Sequence, residues 1–203
     1  MKEFWDARYR EEGFAYGSEP NAFVKDRLNA IAPQGRILFP AEGEGRNAVY
    51  AASLGWDVHA YDISEGGREK AMQLAQAQDV RIDYRIAGFL DVDYPTRSFD
   101  ALVFSYVHVP TSLKASVLHA QKTFLKEGGL FLFEGFSVNN LPLRAANPQI
   151  GGPDNIDMLY SVEEIATLFE GVPHLRVWEE EVELSEGKYH VGKAIVIRAH
   201  NSV

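Results

Sequence analysis

One short stretch, residues 36–50, constrains the fold of this chain more than any other. It reads Arg-Ile-Leu-Phe-Pro-Ala-Glu-Gly-Glu-Gly-Arg-Asn-Ala-Val-Tyr, so an apolar run is followed by Gly43 and Gly45 and then by a helical pattern. Glycine allows positive φ and a close approach of the backbone to a ligand. A strand, a glycine turn and a helix in this order are typical of the first unit of a nucleotide-binding α/β fold. We therefore expect Gly43 and Gly45 to contact a ligand.

A second strand, predicted over residues 56–61, is followed directly by Asp62. This carboxylate lies about 20 residues beyond the glycines, where nucleotide-binding folds place an acceptor for the ribose hydroxyls. The glycine pattern alone is a weak signal, but a following strand that ends in an acid strengthens it. The sequence therefore predicts that Asp62 binds a ribose.

The glycine loop also carries two acids, Glu42 and Glu44. Two carboxylates would repel a pyrophosphate docked on the N-terminus of the following helix. S-Adenosylmethionine has an adenosine, a sulfonium and an ammonium, but no phosphate. The acidic loop therefore favours S-adenosylmethionine over NAD as the cofactor. The alternative is that both acids only complement the positive end of the helix dipole.

The sequences over residues 42–48 and 59–64 resemble the first two motifs of class I S-adenosylmethionine-dependent methyltransferases, above all in the branch of the tellurite-resistance and thiopurine methyltransferases. The resemblance implies an α/β fold of the Rossmann-like kind, a three-layer sandwich. Its seven-stranded, mostly parallel sheet would have the order 3-2-1-4-5-7-6, with strand 7 antiparallel. The motif positions also imply that Asn47 and Ile63 contact the cofactor.

Three positions depart from the pattern of this family. Phe39 and Ala41 stand where its members usually have an acid and a glycine, and Gly88 stands where an acid usually binds the adenine. We expect Glu42 to replace the missing carboxylate at the methionine end. Phe89 is expected to stack on the adenine and to offer its backbone amide.

A fourth strand is predicted to end near Ser105, followed by Tyr106 and His108. Ligands of open α/β sheets bind at the carboxyl ends of the strands, so all three residues are expected at the site. Ser105 and Tyr106 are predicted to contact the cofactor. His108 is the candidate general base for an acceptor that must lose a proton.

Two segments are expected to cover the site. In the resembled family, an opening like residues 1–20 forms a lid, which would bring Tyr16 to the cofactor. Residues 137–160 are predicted to be a long irregular loop on the substrate side, and such loops usually bind ligands. Arg144 is the one positive charge in that loop and is a candidate contact for an anionic substrate.

The chain is predicted to end in a β-hairpin, with strands over 175–184 and 189–198. A hairpin makes the end of the sheet antiparallel, whereas a dehydrogenase more often ends in parallel crossover units. The sequence Glu-Gly-Lys-Tyr-His-Val-Gly over residues 186–192 also resembles the terminal motif of the same branch. This resemblance implies that His190 approaches the substrate.

Composition limits the remaining possibilities. A chain of 203 residues fits one domain, here a single methyltransferase domain over 1–203. A net charge of −9 argues against nucleic acid as the main partner. The lack of cysteine excludes disulfides and thiolate metal sites, and no other metal-ligand cluster is apparent. No signal peptide or apolar span is recognisable, so a cytoplasmic protein without a membrane partner is expected. The sequence does not predict the oligomeric state.

We therefore expect an enzyme that transfers the methyl group of S-adenosylmethionine to a small molecule, with a thiol or a chalcogen oxyanion as acceptor. One alternative is an NAD-linked oxidoreductase, which the glycine pattern and Asp62 would also suit. Another is a non-catalytic cofactor-binding protein on the same fold, which the departures at Phe39, Ala41 and Gly88 keep open.

Overall fold

A computed structural model describes residues 1–33 and 35–201, which are built around one seven-stranded sheet. The strands are β1 (Arg36–Pro40), β2 (Asp57–Asp62), β3 (Asp83–Ile86), β4 (Phe99–Ser105), β5 (Leu125–Phe136), β6 (Leu175–Glu186) and β7 (His190–Asn201). Their order is β3-β2-β1-β4-β5-β7-β6. Strands β1 to β5 are parallel, and β7 is antiparallel to both of its neighbours. The predicted sheet order and the predicted reversal of the last strand are confirmed.

Helices cover both faces of the sheet. They are α1 (Lys2–Tyr9), α2 (Ala22–Asn29), α3 (Arg46–Ser53), α4 (Glu65–Ala77), α5 (Thr111–Lys122), α6 (Leu141–Ala146) and α7 (Val162–Leu168). Apolar residues of α2, α3 and α4 pack on one face, and those of α5 and α7 pack on the other. Since each face is buried, the central strands are apolar on both sides, as parallel sheets require. The result is the expected three-layer sandwich.

Polar side chains cap the starts of three helices. The side chains of Ser64 and Ser161 accept hydrogen bonds from the N–H of Gly67 and Glu164, respectively. At the start of α2, Asn21 is the cap, and its Oδ1 accepts from Val24 N at 3.0 Å. Such caps satisfy backbone donors that the first helical turn leaves free.

Two segments differ from what their sequence suggests. Lys-Glu-Gly-Gly over residues 126–129 is typical of a turn but lies inside β5, where the ladder shifts register between the pairs Phe99–Leu125 and Ala101–Leu130. Positive φ at Gly128 accommodates this irregularity within the strand. Residues 137–160 form not one irregular loop but α6 and three short 3₁₀ turns. Pro142 is the second residue of α6, in the first turn, where a backbone N–H has no partner within the helix, so the N–H that proline lacks is not needed there.

The acid that interrupts β5, Glu134, is paired inside the protein. Its side chain is only 1% exposed. Oε2 accepts from Arg198 Nε at 2.5 Å, and Oε1 accepts from Asn21 Nδ2 at 2.6 Å. Burying a carboxylate in a central strand is costly unless it is paired, and these two contacts supply its partners.

Within the described ranges, no helix is both long enough and apolar enough to cross a membrane.

Candidate functional site

The candidate site is a cavity of about 660 Å³ at the carboxyl ends of the parallel strands. Its floor is formed by the loops that follow β1, β2, β3 and β4. Helix α1 closes one side, and the hairpin turn together with residues 148–158 closes the other. Most of the predicted site residues line it: Tyr16, Glu42, Asn47, Asp62, Ile63, Phe89, Ser105, Tyr106, His108, Arg144 and His190.

Asp62 occupies the end of β2 and is buried. Oδ2 accepts from Gly43 N at 3.1 Å, and Oδ1 accepts from Ser64 N at 2.9 Å. Burial raises the pKa of Asp62 to about 6, although these backbone donors oppose the shift. Each carboxylate oxygen has a second lone pair, so Asp62 retains acceptor capacity towards the cavity.

Glu42 combines a structural contact with a free oxygen at the cavity. Oε1 accepts from the N–H groups of Asn47 and Ala48, both at 2.8 Å, and thereby satisfies the start of α3. Oε2 has no hydrogen-bond partner in the described part of the chain. Burial raises the pKa of Glu42 to about 7. The expected dipole contact and a cavity-facing carboxylate are therefore both present.

Glu44, the second acid of the loop, points away from the ligand side. Its carboxylate pairs with Lys70 Nζ at 2.9 Å and accepts from Ala15 N at 2.8 Å. Only one of the two acids therefore lines the cavity, which corrects the interpretation of the whole loop as facing a ligand. Glu44 instead anchors the segment that precedes α2.

Gly43 and Gly45, which were predicted to contact the ligand, are not among the residues that line the cavity. A Cβ on Gly43 would lie 2.5 Å from the hydroxyl of Tyr9, and one on Gly45 would lie 2.5 Å from the Cβ of Ala71. Both have positive φ. Glycine at these two positions therefore allows the tight turn and lets α1 and α4 pack closely against it.

Ile63 and Phe89 lie on the wall where an adenine is expected. The Phe89 ring meets Tyr61 edge to face at 6.1 Å, and its carbonyl accepts from Gln121 Nε2 at 2.8 Å. Gly88 donates its N–H to Asp91 Oδ2 at 3.3 Å, so Asp91 stabilises the turn after β3. Phe89 is half-buried and lines the cavity.

Two hydroxyls at the end of β4 have no partner. The side-chain oxygens of Ser105 and Tyr106 are buried and form no hydrogen bond within residues 1–33 and 35–201. Tyr106 also has a φ of 53°, a conformation uncommon for non-glycine residues. Both residues line the cavity, so these two hydroxyls are unpaired polar groups at its wall.

His108 lines the cavity, but its ring nitrogens are both occupied. Nδ1 is 2.8 Å from the carbonyl oxygen of Met158, and Nε2 accepts from Phe136 N at 3.4 Å. Burial lowers the pKa of His108 to about 4. An imidazole whose lone pair is used by a backbone amide is poorly suited to accept a proton. The geometry therefore disfavours the predicted role of His108 as general base.

Arg144 lies in α6 rather than in a loop. Its Nε donates to the carbonyl of Gly152 at 3.2 Å, and its terminal nitrogens form no ion pair with a described acid. His190 is the first residue of β7, and its Nδ1 is 2.9 Å from Glu186 Oε2. Its ring packs against Tyr16 and Tyr106, each at 4.5 Å between centroids.

Helix α1 is fixed above the cavity by a contact that the sequence did not indicate. Asp6 Oδ1 accepts from Ser64 Oγ at 2.7 Å and from Gly66 N at 2.9 Å. These hydrogen bonds lower the pKa of Asp6. Asp6 thus joins α1 to the start of α4, directly beside Asp62.

Arg8, Arg46 and Glu186 were also missed. Arg46 pairs with Glu186 at 2.9 Å, and Arg8 donates to the Tyr16 hydroxyl at 3.1 Å. Arg46 and Glu186 are 140 positions apart, and although each lies within a recognised motif, nothing in either motif indicates that the two side chains pair. Only the folded chain brings them together.

Among the described residues, no three His, Cys, Asp or Glu side chains are arranged to hold a metal ion.

Comparison with known proteins agrees with this geometry. Residues 37–129 match the family described as "Methyltransferase domain". No curated protein sequence matches the chain.

Solved structures show the fold over nearly the whole chain. One, from work on the conversion of a disulfide bond into a thioacetal group during echinomycin biosynthesis, has a TM-score of 0.76 and 19% identity, and the match covers 98% of this chain and 91% of the other. The magnesium protoporphyrin IX methyltransferase of Synechocystis PCC 6803, solved with bound S-adenosylhomocysteine, has a TM-score of 0.67, 13% identity and coverages of 99% and 97%. The 1,6-didemethyltoxoflavin-N1-methyltransferase of Burkholderia thailandensis, with both its toxoflavin precursor and S-adenosylhomocysteine bound, has a TM-score of 0.61, 18% identity and coverages of 90% and 78%.

The family match covers residues 37–129, a little under half of the chain, and supports a methyltransferase. The similar structures share the fold, and two of them hold S-adenosylhomocysteine. These matches do not single out the tellurite-resistance and thiopurine branch.

Proposed function

We propose that this protein transfers the methyl group of S-adenosylmethionine to a small-molecule thiol or chalcogen oxyanion. The observation that carries the proposal is the pair Asp62 and Glu42, two carboxylates with unused lone pairs on one cavity. Asp62 stands where a ribose diol needs an acceptor, and Glu42 stands at the start of α3. A cationic, phosphate-free nucleoside can form favourable contacts with both carboxylates, whereas a pyrophosphate would be repelled by both.

The remaining cofactor contacts follow from the cavity wall. Asp62 accepts from the ribose hydroxyls, and Glu42 accepts from the ammonium. Ile63 and Phe89 hold the adenine between them. Polar groups near the methionine portion complete the set: the hydroxyls of Ser105, Tyr106 and Tyr16 and the amide of Asn47. Gly43 and Gly45 contribute by shaping the turn that presents Glu42.

We propose residues 1–203 as one methyltransferase domain in which two segments cover the site. Residues 1–20 form the cofactor-side lid, supported by the Asp6 bonds to the start of α4. Residues 137–160 form the substrate-side cover, supported by the position of Arg144 and Gly151 on the cavity. Bound S-adenosylmethionine supplies an activated methyl group on a good leaving group. The chain must therefore mainly align the acceptor and exclude water.

The acceptor class is proposed from the wall opposite Asp62. Three rings, those of Tyr106, His108 and Phe136, form an apolar surface suited to a soft, polarisable atom. Arg144 offers the terminal nitrogens of its guanidinium to an anion. The similar structure associated with conversion of a disulfide into a thioacetal supports sulfur as the reacting atom.

The affinity for S-adenosylhomocysteine should depend on pH. Without ligand, the pKa of Glu42 is raised to about 7 and that of Asp62 to about 6. The ligand needs both carboxylates ionised, so binding should be strongest above pH 7 and should weaken as the pH falls through 7 and 6. Each group that must lose a proton contributes up to about tenfold per pH unit. Calorimetric titrations between pH 5 and 8 measure this slope. In Glu42→Gln the slope should be reduced, and a flat profile in the unmodified protein would contradict the assignment.

Arg144→Gln should raise the KM for an anionic thiol such as thiosalicylate. Loss of a hydrogen bond to a charged group costs about 1.5–3 kcal/mol, or roughly 10–150-fold in kcat/KM. The dissociation constant of S-adenosylhomocysteine should not change. Arg176→Gln is the matched control, because it makes the same charge change at an exposed position of β6. Equal effects of the two substitutions would remove Arg144 from the acceptor site.

A further inference from the structure

Glu186 and His190 face each other across the terminal hairpin. They are the last residue of β6 and the first of β7, and the strand register pairs them directly. Nδ1 of His190 is 2.9 Å from Oε2 of Glu186, and both side chains are largely buried. The three-residue turn between them therefore fixes a carboxylate–imidazole pair at the edge of the cavity.

The pair also fixes which imidazole nitrogen carries the proton. A carboxylate accepts but does not donate, so Nδ1 bears the hydrogen and Nε2 bears the lone pair. Nε2 has no hydrogen-bond partner within the described residues and is not sealed from the cavity. A Cβ on Gly151 would lie only 3.2 Å from Nε2 and 2.6 Å from Cδ2. Glycine at position 151 therefore leaves this nitrogen open to a small molecule.

Glu186 is held in place by two other elements. Arg46 of α3 donates to Oε2 at 2.9 Å, and Asn21 at the start of α2 donates to Oε1 at 3.1 Å. Burial raises the pKa of Glu186, but the hydrogen bond from His190 and the charge of Arg46 outweigh it and lower this pKa to about 2. The carboxylate is therefore ionised at neutral pH and has one orientation.

His190 is neutral at the same pH. Burial lowers its pKa, although Glu186 opposes this shift. The charged and titratable groups around the ring come from several elements: Arg8 of α1, Tyr16 of the following loop, Arg46 of α3, Tyr106 and His108 after β4, and Glu186 of β6. Arg8 and Arg46 further disfavour the imidazolium, so the free base predominates before substrate binds.

We propose that His190, and not His108, is the general base of the reaction, and that the acceptor enters as a protonated thiol. The inference rests on the proposed function. Nε2 takes the S–H proton while the sulfur forms its bond to the methyl carbon. The methyl–sulfonium bond breaks, and its electron pair stays on the departing S-adenosylhomocysteine. Glu186 is a positioning residue, which holds the tautomer and stabilises the imidazolium until the proton leaves to water.

The test uses His190→Gln and a series of small thiols whose pKa values lie on both sides of the assay pH. Without a base, only the fraction already ionised reacts. The ratio of kcat/KM between unmodified protein and variant should stay within about threefold for fully ionised thiols. It should rise by up to about tenfold for each pKa unit above the assay pH, to roughly 100-fold two units above it. The same loss for every thiol would overturn the proposal, because a purely structural role predicts it.

Two further variants separate the roles of the cavity histidines and of Glu186. His108→Gln should change kcat/KM by the same factor for all thiols, since both of its ring nitrogens are used by the backbone. Glu186→Gln should reduce kcat/KM at least about tenfold for the weakly acidic thiols, because glutamine also permits the wrong tautomer. At saturating S-adenosylmethionine, where the bound cofactor keeps Glu42 and Asp62 ionised, it should also move the acidic limb of the kcat profile to lower pH. An unmoved limb would exclude Glu186 as a positioning residue.

Failure of the inference and failure of the proposed function give different results. If the unmodified protein binds S-adenosylhomocysteine but methylates no thiol, the proposed acceptor is wrong and the base assignment is overturned with it. If it methylates thiols and His190→Gln loses activity uniformly, only the base assignment is overturned. Thermal unfolding and S-adenosylhomocysteine affinity of each variant show whether the fold and the cofactor site are intact.

Discussion

Replacing Asp62 with alanine should weaken the binding of S-adenosylhomocysteine by about 1–3 kcal/mol, or roughly 5–150-fold in the dissociation constant. The ribose hydroxyls would lose their acceptor inside a cavity where water cannot fully replace it. The N–H groups of Gly43 and Ser64 would also lose their partner, which loosens the loop that presents Glu42. Calorimetric titration at pH 8, where the carboxylate is ionised, measures the change.

Asp91→Ala is the matched control for this substitution. Asp91 also accepts a hydrogen bond from a backbone N–H in a loop after a parallel strand, but it does not line the cavity. Its removal should change the dissociation constant by less than about threefold, consistent with a loss of a few tenths of a kcal/mol. If Asp62→Ala binds as tightly as the unmodified protein, Asp62 does not hold the ribose.

The second large effect concerns stability. Arg198→Met should lower the free energy of unfolding by about 3–5 kcal/mol, because Glu134 would remain as a charge in the sheet with only Asn21 as a partner. For a chain of this length such a loss lowers Tm by roughly 10 °C. Thermal unfolding followed by circular dichroism measures it.

A double-mutant cycle isolates the cause. In Glu134→Gln/Arg198→Met no buried charge is left, so the double variant should be more stable than Arg198→Met alone. Glu180→Gln removes the exposed partner of Arg198 and should cost less than about 1 kcal/mol. If the double variant is no more stable than the single one, the uncompensated charge is not the source of the loss.

Structural features that depend on residues close together in the sequence could be predicted from the sequence. The strand–turn–helix at residues 36–50, the acid at the end of β2, the Asn21, Ser64 and Ser161 caps and the terminal hairpin each depend on interactions within a few positions. The hairpin was enough to distinguish the antiparallel end of this sheet from a dehydrogenase-like one. At residues 126–129 the two glycines favour a turn, but the segment continues β5, because pairing with β4 outweighs this local preference.

The site was less predictable because its details depend on contacts between distant segments. Sequence alone places Glu42 and Glu44 in the same loop, but only the fold turns Glu44 towards Lys70. His108 and His190 were both expected near the substrate, and their different surroundings decide which one keeps a free nitrogen. Backbone groups of Met158 and Phe136 lie within hydrogen-bonding distance of both ring nitrogens of His108. Glu186, which Arg46 holds in place from a distant part of the sequence, contacts only Nδ1 of His190 and leaves its Nε2 free.

The most direct test of the account is a calorimetric titration of the unmodified protein with S-adenosylhomocysteine at pH 8, with NADH titrated as a control. We expect micromolar binding of S-adenosylhomocysteine at one site per chain and no heat from NADH. Absence of S-adenosylhomocysteine binding, or binding of NADH in its place, would contradict the assignment of Asp62 and Glu42 and with it the proposed methyl transfer.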